Sequence, residues 1–175
     1  MKQNTDNWKP CNKIVTNYCY NITQTYQGYL TGKDITYTSD KDIGNIQDIL
    51  NYNDCPTMDS ELLKQALIFG VGYEIMYIDS DKKPRFRTLD TRELIPVFWN
   101  DLDQELAFCI RLHRQNMWDS RVKYYVDIYY DTETFHYECD ELITSLKLIG
   151  QEPNFFGQVP INIFFLNPEE KSVFD

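Results

Sequence analysis

The feature of this sequence that most restricts its fold is a change of hydrophobic period at Gly70 to Gly72. Before this point apolar residues recur at the three- and four-residue spacing of amphipathic helices, and after it they alternate with polar residues as in strands. A run of helices followed by a run of strands is typical of the α+β class. We therefore predict an α+β fold, with amphipathic helices in residues 10–70 and a mainly antiparallel β-sheet region in residues 71–175.

Three helices are predicted in the first half of the chain. The first covers residues 10–28, with polar residues mainly on one side and these apolar residues on the other: Ile14, Val15, Tyr18, Cys19, Ile22 and Tyr26. The other two cover residues 42–52 and 60–69, and the last has Asp59 as its predicted N-cap and Gly70 as its terminator. Between the first two helices, residues 34–38 alternate as a short strand would.

The second half of the chain is predicted to form strands at residues 73–77, 84–89, 95–99, 105–113, 121–130, 134–139 and 161–166. In residues 121–130, apolar and aromatic residues at 122, 124, 126, 128 and 130 alternate with Lys123, Tyr125, Asp127 and Tyr129. One face of this strand is expected to be buried, and the other to face solvent or cover a partner.

An excess of acidic residues limits the partners of the chain. The 175 residues include 17 Lys and Arg against 27 Asp and Glu, a net charge of -10. Binding of nucleic acid over the whole surface is not expected, because phosphate contacts need clustered basic residues. No apolar run reaches membrane-spanning length and the first residues lack a signal-peptide pattern, so we predict synthesis in a cytosol and no membrane contact.

The five cysteines are odd in number and form no C-x-x-C pair, which fits neither a disulfide framework nor a zinc ribbon. We predict free, buried thiols at all five positions: Cys11, Cys19, Cys55, Cys109 and Cys139.

No cofactor, metal or catalytic residue is predicted. Residues 28–34 contain two glycines and a lysine, but they follow a helix rather than a strand, which indicates a helix end rather than a phosphate loop. On strands, the spacings of Cys109 from His113 and of His136 from Cys139 do not allow either pair to share a zinc ion. A site assembled from different strands stays open, although isolated histidines are the favoured interpretation.

One basic cluster lies on the hairpin predicted around residue 82 and carries the candidate nucleic-acid contacts Lys82, Lys83, Arg85 and Arg87. Alternation places Arg85 and Arg87 on one face and Phe86 on the other, so the favoured interpretation is the solvated side of a half-buried strand. Contacts from these four residues to phosphates are a weak second possibility.

Six segments occur in an order that resembles the portal proteins of tailed phages, as found in siphophages and prophages of Gram-positive bacteria. They are residues 12–15 (NKIV), 28–37 (GYLTGKDITY), 66–79 (ALIFGVGYEIMYID), 84–86 (PRF), 89–97 (LDTRELIPV) and 156–160 (FGQVP). The resemblance covers the chain from about residue 12 onward. Asp34 is a departure, because many relatives have proline there.

The resemblance implies a structural subunit of a ring at one capsid vertex, through which a separate terminase drives DNA and later ejection occurs. It implies self-association into a cyclic homo-oligomer and contacts with terminase, scaffold or capsid, and head-completion proteins, with double-stranded DNA passing without specific binding. The expected location is the virion, and the host cytoplasm during assembly. Residues 1–175 would be a partial portal protein from the wing region, without the stem, clip and crown.

Two alternatives remain open. One is a small carboxylate-dependent hydrolase or nuclease, which would show several acidic residues with perturbed pKa values in one pocket. The other is a stand-alone protein-binding module that uses an exposed face with Tyr125 and Tyr129.

Overall fold

A computed structural model describes residues 17–99, 105–116, 122–139 and 144–166. Three helices come first: α1 (Tyr18–Thr31), α2 (Gly44–Tyr52) and α3 (Cys55–Phe69). Eight strands follow: β1 (Val71–Ile78), β2 (Pro84–Leu89), β3 (Leu94–Phe98), β4 (Leu106–Asn116), β5 (Val122–Tyr129), β6 (Glu133–Cys139), β7 (Leu146–Pro153) and β8 (Ile161–Phe165). A 3₁₀ helix, Thr91–Glu93, precedes β3. The predicted α+β class is confirmed.

The strands form two antiparallel sheets. The three-stranded sheet has the order β2-β1-β8, so β1 lies in its centre, and the five-stranded sheet runs in chain order from β3 to β7. Each neighbouring pair of the five-stranded sheet is consecutive in the sequence, which is the arrangement of a meander.

The hydrophobic core lies between the two sheets. Tyr73, Leu89 and Ile161 from the three-stranded sheet pack with residues of the five-stranded sheet, of which Cys109 is fully buried. Burial raises the pKa of the Cys109 thiol to about 12, so this cysteine is an inert apolar residue of the core.

Helix α3 covers the other face of the three-stranded sheet. Its buried side chains Met58, Leu62 and Ala66 recur every four residues and form one stripe, as expected for a helix packed along one side. Leu62 lies over Gly72 of β1, where an added Cβ would come within 2.9 Å of both the Leu62 Cδ1 atom and its carbonyl oxygen. Gly72 therefore sets the closeness of helix and sheet.

Helix α1 packs on the outer side of α3 through polar groups. The Gln27 side-chain amide donates to the Ser60 Oγ atom at 2.9 Å, and the Thr31 hydroxyl lies 3.1 Å from the same atom. Ser60 is two residues from both Met58 and Leu62, which is about 200° around a helix, so it faces away from the sheet. The layer order is α1, α3, three-stranded sheet, five-stranded sheet.

Several predicted boundaries are wrong. Residues 34–38 form no strand, and Ile35 and Tyr37 are exposed. An alternating pattern forms a strand only where a neighbouring strand accepts its backbone hydrogen bonds, and no such neighbour lies beside these residues among the described parts of the chain. Helix α3 begins at Cys55, five residues before the predicted start, since Pro56 suits the first turn of a helix; Asp59 therefore lies inside it.

Other predictions are incomplete. Strand β7 was not predicted, and helix α1 continues to Thr31 rather than ending near residue 28. Cys109 is buried as predicted, whereas Cys19 is exposed on α1. Cys11, Ile14 and Val15 lie outside the described residues.

Replacing Gly72 by alanine tests the close approach of α3 to β1. We expect Gly72→Ala to lower the free energy of unfolding by about 1–3 kcal/mol, because the new methyl group has no room beside a backbone oxygen. Gly28→Ala is the matched control. It meets nothing within 4 Å and should raise helix stability by about 0.5–1 kcal/mol. Urea unfolding followed by circular dichroism measures both, and equal stability of the two variants would contradict the packing.

Candidate functional site

The most concentrated group of ionisable side chains in the described residues lies on the inner face of the five-stranded sheet. The Asp127 carboxylate on β5 is 2.9 Å from the Nε2 atom of His113 on β4 and 2.7 Å from the Nδ1 atom of His136 on β6. Asp127 is only 7% exposed. We call these three residues the His–Asp–His cluster.

The strand register builds this cluster. His136 lies directly opposite Asp127, while His113 lies opposite Tyr125, two residues before Asp127 on β5. Neighbouring positions and diagonal positions on one sheet face are within reach of long side chains. The ring of Tyr125 stacks on His113 at a centroid distance of 5.5 Å, which holds the imidazole over the sheet.

The charge state of Asp127 follows from its partners. Burial alone would raise the pKa of this carboxyl, but the hydrogen bonds from His113 and His136 outweigh burial, and its pKa lies below the ordinary value. An ionised carboxylate only accepts hydrogen bonds, so both imidazoles must donate to it, His113 from Nε2 and His136 from Nδ1.

A second polar group joins the cluster along the same face. The Arg111 guanidinium donates to the Glu93 carboxylate at 2.9 Å and 3.0 Å, and the Tyr129 hydroxyl lies 3.4 Å from Asp127. Burial, followed by the nearby Asp127 charge, raises the pKa of Tyr129, so it stays protonated and can donate. The inner sheet face thus carries a connected polar network beside its apolar core residues.

The two histidines border different clefts. His113 lines a cleft of about 440 Å³ together with Arg92 and Arg114, and His136 lines one of about 340 Å³ together with Glu152 and Phe155. Because the cluster is divided between two openings, its groups do not converge on one position where a substrate atom could sit. Its hydrogen bonds join three neighbouring strands, β4, β5 and β6.

Sequence reasoning treated the two histidines as isolated and missed Asp127. Cys139 lies on the opposite face from His136, as predicted, and Cys109 lies in the core on the same inner face as His113, four residues away along β4. No three His, Cys, Asp or Glu side chains form a metal-binding group within the described ranges. The pairing of β4, β5 and β6 as consecutive hairpins is the signal that would have brought His113, Asp127 and His136 together.

The predicted exposed face with Tyr125 and Tyr129 is wrong. Tyr129 is 6% exposed and belongs to the core between the sheets, so this face is the inner one. Alternation correctly grouped the residues by face but did not identify which face is inside.

The four basic candidates lie around the β1–β2 hairpin, and two of them already have partners. The Lys83 Nζ atom is 4.4 Å and the Arg85 Cζ atom 4.6 Å from the ring centroid of Tyr52, and Arg85 also donates to the Tyr52 carbonyl oxygen. Lys82 and Arg87 are exposed. Contact of these residues with nucleic acid stays a prediction.

Two carboxyls at the α3–β1 interface have raised pKa values. Burial raises the pKa of Asp59 and of Glu74, and Glu74 also accepts a hydrogen bond from Asn162 at 3.1 Å. Neither residue lines the clefts described above.

Comparison with known proteins identifies a family. The sequence model of the family described as phage portal protein, SPP1 Gp6-like, matches residues 2–175. No curated protein matches the chain. Within the described ranges, no helix combines the length and apolar character needed to cross a membrane.

Replacing Asp127 by asparagine tests the cluster. We expect Asp127→Asn to lower the free energy of unfolding at pH 7 by about 1–3 kcal/mol, because one imidazole loses its acceptor. The folded pKa of Asp127 is depressed, so its contribution is present above the unfolded value near 3.8 and is lost as the pH falls through the folded value. The difference between wild type and variant should therefore shrink below about pH 4.

Glu61→Gln, at an exposed position on α3, is the control and should change stability by less than about 0.5 kcal/mol at any pH. Urea unfolding at a series of pH values provides the measurement. A stability difference for Asp127→Asn that persists unchanged to pH 2 would show that the carboxylate charge has no role.

Proposed function

The chain belongs to the SPP1 Gp6-like family of phage portal proteins, and from that premise we propose that it is a subunit of a portal ring at one vertex of a phage capsid. The match over residues 2–175 carries the proposal. The family is structural. The proposed role is a conduit for DNA during packaging and ejection, and a platform on which head and tail are joined.

The physical character of the chain supports a conduit. A net charge of -10 suppresses adhesion of DNA to the protein surface, since phosphates are repelled by acidic side chains. The His–Asp–His cluster stabilises a sheet and does not border a single reaction site. We propose no enzymatic activity for the chain, in preference to the hydrolase or nuclease alternative.

The proposed partners follow from the family. They are further copies of the same chain in a closed ring, the terminase, scaffold or capsid proteins, and head-completion proteins, with duplex DNA in the channel. Residues 1–175 are proposed to belong to the wing of the subunit, with helices in the first part and sheets in the second. The proposed location is the capsid vertex, with assembly in the host cytoplasm.

Ring formation is the first prediction of this proposal. We expect the protein, purified with all residues of its natural reading frame, to form closed rings with a channel wide enough for duplex DNA. Electron microscopy shows the shape, and light scattering gives the number of subunits. A protein that stays monomeric or dimeric at all accessible concentrations, and that cleaves DNA with magnesium, would support the nuclease alternative instead.

The basic hairpin gives a second prediction. We propose that Lys82 and Arg87 make weak, sequence-independent phosphate contacts, since Lys83 and Arg85 are engaged with Tyr52. Binding of duplex DNA, followed by fluorescence anisotropy across salt concentrations, should lose about one unit of salt slope per residue changed in Lys82→Ala and Arg87→Ala.

Arg92→Ala is the control for this measurement. Arg92 is exposed but bonded to Asp90 at 2.6 Å, so its loss should leave the salt slope unchanged. A slope that is the same for wild type and both hairpin variants would show that the hairpin does not contact DNA.

A further inference from the structure

Helix α1 has its polar side inside and its apolar side outside. Gln27 and Thr31 face α3, and no residue of the helix is buried. On the opposite side, Tyr18, Ile22 and Tyr26 recur every four residues with exposed fractions of 72%, 55% and 56%. We call these residues, with Tyr29, the α1 stripe. An amphipathic helix ordinarily turns its apolar side to the core.

The α1 stripe is also free of charge. Residues 17–32 contain no Asp, Glu, Lys or Arg, in a chain in which a quarter of all residues are charged. Surfaces rich in tyrosine and poor in charge are typical of the centres of protein–protein interfaces.

The five-stranded sheet, at the opposite side of the molecule from α1, also has its polar face inside and its apolar face outside. Its inner face carries the polar network, whereas its outer face carries Val126, which is 4% exposed, and six half-buried residues: Phe108, Ile110, Ile128, Tyr130, Phe135 and Tyr137. The rings of Phe108 and Tyr130 lie 5.3 Å apart, and those of Tyr130 and Phe135 lie 5.9 Å apart. Among the described residues, no helix or strand covers this outer sheet face. It continues on to Leu148 of β7, which pairs with Tyr137 and is 49% exposed.

We propose that the α1 stripe of one subunit docks on the outer sheet face of a second copy of this chain. The inference rests on the proposed function and names the contact between neighbouring subunits of the ring. A ring of identical subunits requires two different, complementary patches on each copy. The layer order places the two surfaces at opposite ends of one subunit, so α1 does not reach the outer sheet face of its own chain.

Electrostatics favours this pair of surfaces. Two copies that each carry -10 repel one another, and like charges brought together at an interface oppose binding. The α1 stripe and the six residues of the outer sheet face are uncharged, and the carboxylates of Asp131 and Glu133 border this face at one end. A contact centred on the six residues therefore joins two copies while leaving those carboxylates at its rim. Aromatic rings on both sides provide a large contact area with little loss of side-chain freedom.

Mixing two single variants tests the contact. Tyr26→Glu places a charge in the α1 stripe, and Leu148→Glu places one on the outer sheet face; both positions are half exposed, so the fold should persist and melting curves check it. Each variant alone should associate about a hundredfold or more weakly, since a charge would be buried without a partner. Their mixture should form heterodimers that grow no further, because one intact α1 stripe meets one intact outer sheet face.

Phe155→Glu is the matched control, because Phe155 is 78% exposed and lies on neither surface; it should form rings like the wild type. Sedimentation velocity and electron microscopy on the protein with its natural reading frame provide the readout. Rings from both Tyr26→Glu and Leu148→Glu would overturn the docking inference and leave the portal function standing. Self-association of Leu148→Glu through its intact α1 would overturn it as well. Absence of rings from the wild type itself would overturn the portal function, and the docking inference with it.

A photo-crosslinker at Tyr29, which is 85% exposed, identifies the occupant of the stripe directly. In a mixture of isotopically labelled and unlabelled subunits, crosslinks between the two kinds that map to β4–β7 are the expected result. Crosslinks confined to single chains would show that a segment of the same chain covers α1, and would overturn the inference.

Discussion

The buried Asp127 carboxylate joins three strands of the five-stranded sheet through hydrogen bonds. A buried charge is tolerated only where hydrogen bonds satisfy it, and His113 and His136 supply them from the strands on either side. Since neighbouring positions in a sheet share a face, the register places His113, Asp127 and His136 together on the inner face, beside Cys109 and Tyr129 of the core. Because side chains alternate between the two faces of a strand, the aromatic positions of the same strands face outward. The polar network, the sheet's share of the core and the aromatic outer face all depend on this one register of β4, β5 and β6.

Much of the fold could be predicted from the sequence because periodicity is a local property. The α+β class and most strands were found from spacing alone, and the registers confirm that Arg85 and Arg87 share one face of β2. Periodicity groups residues by face but does not say which face is covered, and so the exposure of Tyr129 was predicted wrongly. Strand β7 alternates poorly and is held by its pairing with β6, which no local pattern reveals. The His–Asp–His cluster was missed for the same reason, because it depends on three strands in register.

Several residues of the segments that resemble portal proteins act by fixing the backbone conformation. Gly70 adopts a positive φ of 82° that ends α3, and Gly72 admits Leu62. Asp90 binds the Arg92 backbone and side chain in the turn before β3. The carbonyl oxygen of Pro160 accepts a hydrogen bond from the Met76 amide and extends the β1–β8 ladder. These turns and close contacts hold helix α3 and the strands in one arrangement.

The central position of β1 has a consequence for the order of folding. Strands β3 to β7 pair only with their neighbours in sequence, so this meander closes through short loops and its entropic penalty is small. Strand β1, in contrast, pairs with β8 across a long stretch of chain, and its Glu74–Asn162 contact spans 88 residues. Contacts of such long range slow folding, and until β8 arrives one edge of β1 is open to pairing with another chain. We therefore expect the three-stranded sheet to be completed late in folding, after the meander has closed.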